Sequence, residues 1–208
     1  MPQRQTVLVA KQASILDVLS QGRLHLGVAV GWNDVEFEAL GENFNNRGVR
    51  IEEQVSVLRS LWTENSVSFR GQWHSINEAG INPLPIQQPI PIWFGGGMTD
   101  NQNVLKRIAR LADGWIMNQQ ADKGGEIAIA KMKSYLAEIG RDSSKFGFDG
   151  RVSLVNGISN AVRLTKEWER IGATQVNLNT MNSNLLTPEA HIKAIQDYKI
   201  ALGQVNFS

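Results

Sequence analysis

The chain has 208 residues, of which 42% are hydrophobic and 20% are charged, so it has the length of one domain and the composition of an ordinary globular protein, which excludes a disordered or fibrous chain. Its formal net charge of +1 lacks the basic excess typical of nucleic-acid-binding proteins. Cysteine is absent, which excludes disulfide scaffolds, thiolate metal ligands and a cysteine nucleophile. No apolar run approaches the ~20 residues that cross a bilayer, and the N-terminal segment lacks a signal-peptide core, so we expect a cytoplasmic location.

The first part of the chain predicts a helix, a buried strand and a second helix. The first helix is indicated by apolar residues at helical spacing, namely Val9, Ala13, Leu16 and Leu19. The strand is the apolar run 24–30, which is typical of a strand buried on both faces in a parallel sheet. The second helix is predicted over about 49–62, with one apolar side formed by Ile51, Val55, Leu58 and Trp62.

Residues 66–92 interrupt this pattern. Polar and apolar residues alternate over 67–73 around a glycine, which predicts a small hairpin. An extended connector is indicated by four prolines, namely Pro83, Pro85, Pro89 and Pro91. We therefore interpret 66–92 as an insertion of a hairpin and a proline-rich connector into the surrounding domain.

The rest of the chain alternates between strands and helices. Strands are predicted at 91–94, 113–117, 146–155 and 174–179, and helices at 100–111, 125–139, up to residue 171, and from 187 onward. Thr187 is the expected N-cap of the last helix, with Pro188 at the first helical position. This alternation predicts βαβ units and a parallel sheet of five strands with six helices. An open sheet can use five strands, whereas a (β/α)8 barrel needs eight.

A run of three glycines is the strongest signal of a site. Gly95, Gly96 and Gly97, followed by Met98, lie between a predicted strand and a predicted helix. Glycines let a ligand approach the backbone, and the first N–H groups of a helix are unpaired and favour anions. This arrangement suits phosphate binding, and the alternative is a tight turn without a ligand. The run matches neither GxGxxG nor the P-loop motif.

A second candidate site follows the strand 24–30. Gly31, Trp32 and Asn33 lie where α/β proteins bind ligands, at the carboxyl end of a strand. Asn33 offers a donor and acceptors to the edge of a heterocycle. The residues by themselves favour the alternative that Asn33 caps a helix beginning near Asp34.

Other side chains carry no chemistry that the spacing identifies. Trp93 and Trp115 lie in predicted strands, where tryptophan is usually part of the core. The histidines stand alone in the sequence, so no metal site is predicted; they are His25, His74 and His191. His25 falls within the strand 24–30 and is expected to be packed in the interior. No residue is identified as catalytic.

Taken together, a series of segments resembles the luciferase-like monooxygenase family. No single segment suffices, but the series covers most of the chain: Lys11-Gln12-Ala13, Ser20-Gln21-Gly22-Arg23-Leu24, Gly31-Trp32-Asn33, Ala39-Leu40-Gly41, Arg47-Gly48-Val49-Arg50, Phe69-Arg70-Gly71, Pro89-Ile90-Pro91-Ile92-Trp93 with the glycines after it, and Arg110-Leu111-Ala112-Asp113-Gly114-Trp115. The resemblance implies an α/β fold of the (β/α)8 TIM-barrel type over 1–208, incomplete, with about five of the eight parallel strands.

The resemblance also implies a function and a set of cofactor-binding residues. It implies an oxidoreductase or monooxygenase that uses FMN or the deazaflavin coenzyme F420, the glycine motifs being closer to the deazaflavin branch. Its expected cofactor contacts are Gly95, Gly96, Gly97 and Met98 at the phosphate, Gly31 and Asn33 at the ring or ribityl chain, and Asp113 and Trp115 beside the tail. A small organic substrate, O2 as co-substrate of a monooxygenase, and a homodimer are implied as well.

The match to the family is incomplete at the N-terminus. Family members begin with three strands and two helices before the helix that opens this chain, so roughly 80 residues of the pattern have no counterpart. We therefore expect a fragment or a natural truncation with unpaired strand edges, and a catalytic acid or base outside it. Two other functions stay open: a shortened barrel that binds flavin without catalysis, and a sugar-phosphate enzyme whose glycine run binds phosphate.

Overall fold

A computed structural model of the chain describes residues 1–96 and 101–203. The chain forms two compact units, 1–94 and 95–208. The helices and strands of the described residues are α1 (Thr6–Leu19), β1 (Leu26–Val28), α2 (Asp34–Ala39), α3 (Arg47–Thr63), β2 (Val67–Arg70), β3 (Ser75–Ala79), β4 (Ile92–Gly95), α4 (Gln102–Leu111), β5 (Gly114–Ile116), α5 (Lys123–Glu138), β6 (Gly147–Ser153), α6 (Gly157–Ile171), β7 (Gln175–Asn179) and α7 (Pro188–Gly203). No helix among the described residues is both long and apolar enough to span a membrane.

The alternation of strands and helices agrees with the sequence analysis, with one helix added. The strands at 92–95, 114–116, 147–153 and 175–179 lie within a residue or two of the predicted ranges or inside them. The added helix is the short α2, which the sequence offered only as the alternative in which Asn33 is a cap. At the last helix, the backbone N–H of Ala190 donates to Thr187 Oγ1 at 3.2 Å, which confirms the predicted N-cap.

The first unit contains a parallel strand pair and an antiparallel hairpin. β1 pairs with β4 in parallel, with Leu26 opposite Ile92 and Val28 opposite Phe94. β2 and β3 form the antiparallel hairpin that the sequence predicted. The predicted apolar side of α3 is confirmed, because four side chains are buried almost completely: Ile51, Val55, Leu58 and Trp62.

The carboxylate of Glu53 joins this hairpin to α3. It accepts hydrogen bonds from the backbone N–H groups of Gln72 at 2.8 Å, Trp73 at 2.8 Å and His74 at 2.9 Å. It also lies 2.7 Å from His74 Nδ1, while His74 Nε2 lies 2.6 Å from Thr6 Oγ1 on α1. One partly buried carboxylate therefore joins the hairpin to α3 and, through His74, to α1.

The helix predicted at the start of the chain is confirmed as α1, but the apolar residues that indicated it do not form its buried face. Leu19 is 74% exposed and Leu16 is 54% exposed. The buried residues of α1 are instead small or polar: Thr6, Ala10, Ala13, Ser14 and Asp17. Of the predicted set, Ala13 alone is buried.

Hydrogen bonds to the proline-rich connector explain which face of α1 is buried. Asp17 accepts from the backbone N–H of Gln87 at 2.9 Å and from its side-chain Nε2 at 2.7 Å. Ser14 Oγ donates to the carbonyl of Pro83 at 2.5 Å. Because these buried polar groups are paired, their burial is not penalised as unpaired polar groups would be. Spacing reveals a stripe, but it does not show which side of a helix meets such partners.

β1 is shorter and more exposed than the sequence predicted. Of its three residues only Val28 is buried, whereas the apolar run 24–30 predicted burial on both faces. Among the described residues β1 is an edge strand, with β4 as its neighbour. His25 is exposed rather than packed in the interior, and its ring stacks on that of Trp93, with centroids 5.3 Å apart and planes at 11°.

The second unit contains the parallel strands β5, β6 and β7. Gly114 to Ile116 pair with Gly147 to Asp149, and Asp149 to Ser153 pair with Gln175 to Asn179. β6 packs so closely on α6 that a Cβ on Gly150 would lie 2.5 Å from Trp168 Cδ2. The residues at even positions of β6 therefore face the helices, and those at odd positions face the other way, because side chains alternate along a strand.

Replacing Gly150 by alanine tests this packing. We expect Gly150→Ala to lower the free energy of unfolding by about 3 kcal/mol, because the added methyl group must displace the Trp168 ring or the strand. Gly203→Ala is the matched control, since no residue that the structure describes lies within 4 Å of the Cβ position there and alanine is favoured over glycine in a helix. Urea denaturation measures both, and equal stabilities for the two variants would contradict the packing described.

Glu53 should make stability depend on pH in the acid range. Burial raises the pKa of its carboxyl, but hydrogen bonds from His74, Trp73 and Gln72 outweigh burial and hold that pKa below the ordinary 4.5. Because the pKa of Glu53 is lower in the folded than in the unfolded chain, its ionised form stabilises the fold above pH 4.5. This contribution to the free energy of unfolding is lost as the pH falls through the folded-state pKa. We expect Glu53→Gln to cost about 1–3 kcal/mol at neutral pH and to weaken the loss of stability in acid.

The control for this prediction is Glu167→Gln. Glu167 is a more exposed carboxylate that pairs with Arg170 three residues later on α6, and such pairs contribute little to stability. Denaturation midpoints measured from pH 3 to 7, approximately the range in which carboxylates titrate, compare the two variants. If both variants keep the pH profile of the unmodified chain, Glu53 does not hold the hairpin as described.

Candidate functional site at the strand ends

In the first unit, the segment after β1 turns sharply at Gly31. Its φ of +87° is in the left-handed region, and a Cβ there would lie 3.0 Å from the ring of Phe37. Asn33 occupies the N-cap position of α2 but makes no side-chain capping hydrogen bond, and the side chain of Trp32 is 85% exposed. The turn therefore requires glycine, and the amide of Asn33 is not used as a cap.

In the second unit, the end of β4 carries two of the predicted glycines. Gly95 is the last residue of the strand, and Gly96 has a φ of +106°. No described residue lies within 4 Å of the position that a Cβ of Gly96 would occupy, so the described part of the chain leaves this backbone open to an approaching group. Gly97 and Met98, the other two predicted contacts, lie outside the described residues.

The indole of Trp115 fixes the orientation of this glycine. Its Nε1–H donates to the carbonyl oxygen of Gly96 at 2.6 Å, and the side chain is completely buried. Trp93 is buried as well, so both strand tryptophans belong to the core as predicted. Asp113 precedes β5, and its carbonyl accepts from the N–H of Gly147 at 3.0 Å. The structure thus brings Trp115 and Gly96 together, and Asp113 lies just before the strand that carries Trp115.

A cavity that the sequence analysis missed lies along β5, β6 and β7. Its volume is about 320 Å³. Both apolar and polar side chains line it; the residues that matter for its chemistry are Ile116, Met117, Asp149, Arg151, Asn177 and Met181. A smaller cavity of about 120 Å³ shares Met117 and Arg151 with it. All these residues belong to the second unit.

Asp149 is the unusual group in this cavity. The residue is 4% exposed, and its Oδ2 accepts a short hydrogen bond from Asn177 Nδ2. Its Oδ1 is buried without a hydrogen-bond partner. Burial raises the pKa of the Asp149 carboxyl, while the hydrogen bond from Asn177 and the charge of Arg151 act in the opposite direction. A carboxyl group with one free oxygen is prepared to accept a hydrogen bond.

The sequence carried one signal for this residue. Asp149 interrupts the otherwise strand-like segment 146–155, and a buried aspartate is rare unless it is paired or functional. The three histidines, by contrast, have structural contacts or surface positions: His74 binds Glu53, and His191 Nδ1 lies 2.8 Å from Thr180 Oγ1. Among the described residues, no three His, Asp or Glu side chains form a group that could hold a metal ion.

The sequence of the chain is similar to that of known proteins. Residues 1–197 match the family model described as luciferase-like monooxygenase. An uncharacterized protein of Mycobacterium tuberculosis is 34% identical over 176 residues, which are 85% of this chain and 58% of that protein. An FMNH(2)-dependent dimethylsulfone monooxygenase of Pseudomonas putida is 29% identical over 136 residues, 64% of this chain and 37% of that enzyme. The chain therefore spans less than two thirds of the length of these relatives.

Solved structures show the same fold. The monooxygenase RslO1 from Streptomyces bottropensis superimposes with a TM-score of 0.77 at 14% identity, covering 98% of this chain and 75% of that one. An F420-dependent secondary alcohol dehydrogenase superimposes with a TM-score of 0.59 at 20% identity, covering 95% of this chain and 67% of that one. The predicted α/β fold of the TIM-barrel type, with five parallel strands among the described residues, is confirmed. The chain belongs to the luciferase-like monooxygenase family.

Proposed function

We propose that this chain binds FMN or coenzyme F420 and takes part in an oxidoreductase or monooxygenase reaction. The observation that carries the proposal is the open, left-handed backbone of Gly96 at the carboxyl end of β4. A relative uses FMNH2 and a structural neighbour uses F420, which supports a flavin or a deazaflavin as the ligand. When bound, such a cofactor supplies hydride transfer or the activation of O2.

The residues near Gly96 fit the phosphate end of such a cofactor. A phosphate needs N–H donors and space, and it is repelled by a carbonyl oxygen. Residues 1–96 and 101–203 leave the Cβ position of Gly96 open, and the carbonyl oxygen of Gly96 is held by the indole N–H of Trp115. In this proposal Trp115 is a positioning residue: it keeps that oxygen turned away, so that a phosphate meets backbone N–H groups. Gly95 and Asp113 then border the same end of the cofactor.

The remaining parts of the assignment come from the resemblance. Gly31 and Asn33 stay predicted contacts of the ring or ribityl chain, and the unused amide of Asn33 agrees with a role beyond capping. We further propose a small organic substrate, with O2 as co-substrate of a monooxygenase, and a homodimer located in the cytoplasm.

Replacing Gly96 by alanine tests the cofactor site. We expect Gly96→Ala to weaken cofactor binding at least tenfold, or about 1.4 kcal/mol, because its methyl group fills the space that the phosphate needs. The control is Gly140→Ala, whose φ of +71° and open surroundings impose a similar backbone cost of about 1–2 kcal/mol away from the site.

The measurement is an anaerobic titration of the purified chain with reduced and oxidised FMN and with F420. Quenching of its six tryptophans reports binding. Saturable binding that Gly96→Ala weakens and Gly140→Ala preserves is the expected outcome. An equal loss in both variants, or no saturable binding of either cofactor, would overturn the assignment. Cofactor binding without any substrate-dependent oxidation would favour a protein that binds flavin without catalysis.

A further inference from the structure

We propose that the cavity along β5, β6 and β7 binds a small uncharged organic molecule that donates a hydrogen bond from a hydroxyl or N–H group to Asp149. If the proposed function is correct, this molecule is the substrate. The proposal that the cavity binds such a molecule does not depend on that function. The cavity and every residue that lines it belong to the second unit, and none is among the predicted cofactor contacts.

The free oxygen of Asp149 is the first observation behind this inference. The residue is 4% exposed, and its Oδ1 has no hydrogen-bond partner. Leaving a buried acceptor unpaired costs about 1–3 kcal/mol, and more for a charged one. Natural structures keep such groups where a ligand or a bound water completes them. Oδ1 itself is closed to solvent, so a donor in the cavity would recover this energy once the carboxylate turns this oxygen toward it.

The surroundings of Asp149 decide between donor types. Arg151 lines the same cavity and its charge acts on Asp149, so these two charges already oppose each other and an ammonium group would add a second, unbalanced positive charge. A neutral hydroxyl or N–H group adds no such charge. Asn177 already donates to the other carboxylate oxygen, which leaves Oδ1 to the ligand. The charge pattern therefore favours an uncharged donor over a cation.

The rest of the cavity fits an apolar body. Ile116, Met117 and Met181 line it, and methionine adapts to ligands of different shape because its side chain is unbranched and flexible. The volume of about 320 Å³ is at the lower end of the range of about 300–1,000 Å³ for small-molecule sites. An alcohol or amide with a compact apolar part has this combination of properties.

The cavity can be observed directly through its methionines. Met117 and Met181 line it, whereas Met132 is a buried residue of α5 that does not. The full 208-residue chain is labelled at the methionine methyl carbons and titrated in an NMR tube without cofactor. The probes are cyclohexanol, which donates a hydrogen bond, and cyclohexanone, which can only accept one. The titrations are run at the alkaline end of the range in which the chain stays folded, because burial raises the pKa of the Asp149 carboxyl and a higher pH favours its ionised form.

We expect cyclohexanol to shift the Met117 and Met181 methyl signals and to leave that of Met132 in place. It should bind about tenfold more tightly than cyclohexanone, as expected for one hydrogen bond to a charged acceptor. Asp149→Asn, whose amide can also donate to a ketone, should reduce this preference to about threefold or less. Asp197→Asn, which changes an exposed carboxylate paired with Lys193 on α7, should leave the preference unchanged.

Equal affinity for the alcohol and the ketone would overturn the inference, and so would shifts at Met132 without shifts at Met117 and Met181. The comparison of the two probes uses the unmodified chain, so it stands even if Asp149→Asn does not fold. The result is independent of the cofactor titration. Flavin binding without alcohol binding removes this inference alone, and alcohol binding without flavin binding removes the proposed function alone.

Discussion

The contact between Gly150 and Trp168 determines which side chains of β6 face the cavity in the second unit. A side chain at residue 150 would collide with the indole, and the indole N–H donates to the carbonyl of Arg151 at 3.1 Å. Together these contacts hold β6 in one rotation and one register against α6. Because side chains alternate along a strand, residues 149 and 151 must then point away from the helices. The charged wall of the cavity follows from this packing, since a shift of β6 by one residue would bury Arg151 against α6 and bring an apolar residue into the cavity.

The carboxylates of Glu53, which is partly buried, and Asp149, which is buried, have opposite hydrogen-bonding environments. The Glu53 carboxylate accepts three backbone N–H groups and faces His74, and its pKa is lowered. Asp149 accepts from one side-chain amide and keeps an oxygen without a partner, and its pKa is raised. The first arrangement stabilises the charged form and ties the hairpin to the helices. The hydrogen bonds of Asp149 do not offset the cost of burying its carboxylate. Such an arrangement is expected where a ligand completes the site.

The sequence predicted correctly those features that depend on residues close together in the chain. The strand and helix positions, the hairpin, the buried side of α3 and the cap at Thr187 follow from periodicity and turn chemistry, which act within a few residues. The buried face of α1 and the exposure of β1 depend on distant partners, namely the connector that binds Asp17 and the neighbours of the strand. The glycines at β4 predicted a phosphate site from the sequence alone, because glycine lets a ligand approach the backbone, and this assignment stays a prediction. Asp149 gave only a weak signal in the sequence. The packing of Gly150 on Trp168 determines that the Asp149 side chain faces the cavity, and this packing cannot be seen in a single aspartate of a strand.

The two proposed sites use different parts of the strands: the cofactor site lies at a strand end, and the ligand site at Asp149 lies on a strand face. Backbone groups at a strand end can hold a phosphate whatever the neighbouring side chains are, because they offer N–H groups and space. The faces of the strands offer side chains, so they can distinguish one organic molecule from another by a hydroxyl or an N–H. Gly96, with its carbonyl held by Trp115, suits the general task of holding a cofactor. Asp149, with one oxygen free, suits the specific task, because a molecule without a donor would leave that oxygen unpaired and would be rejected for a physical reason.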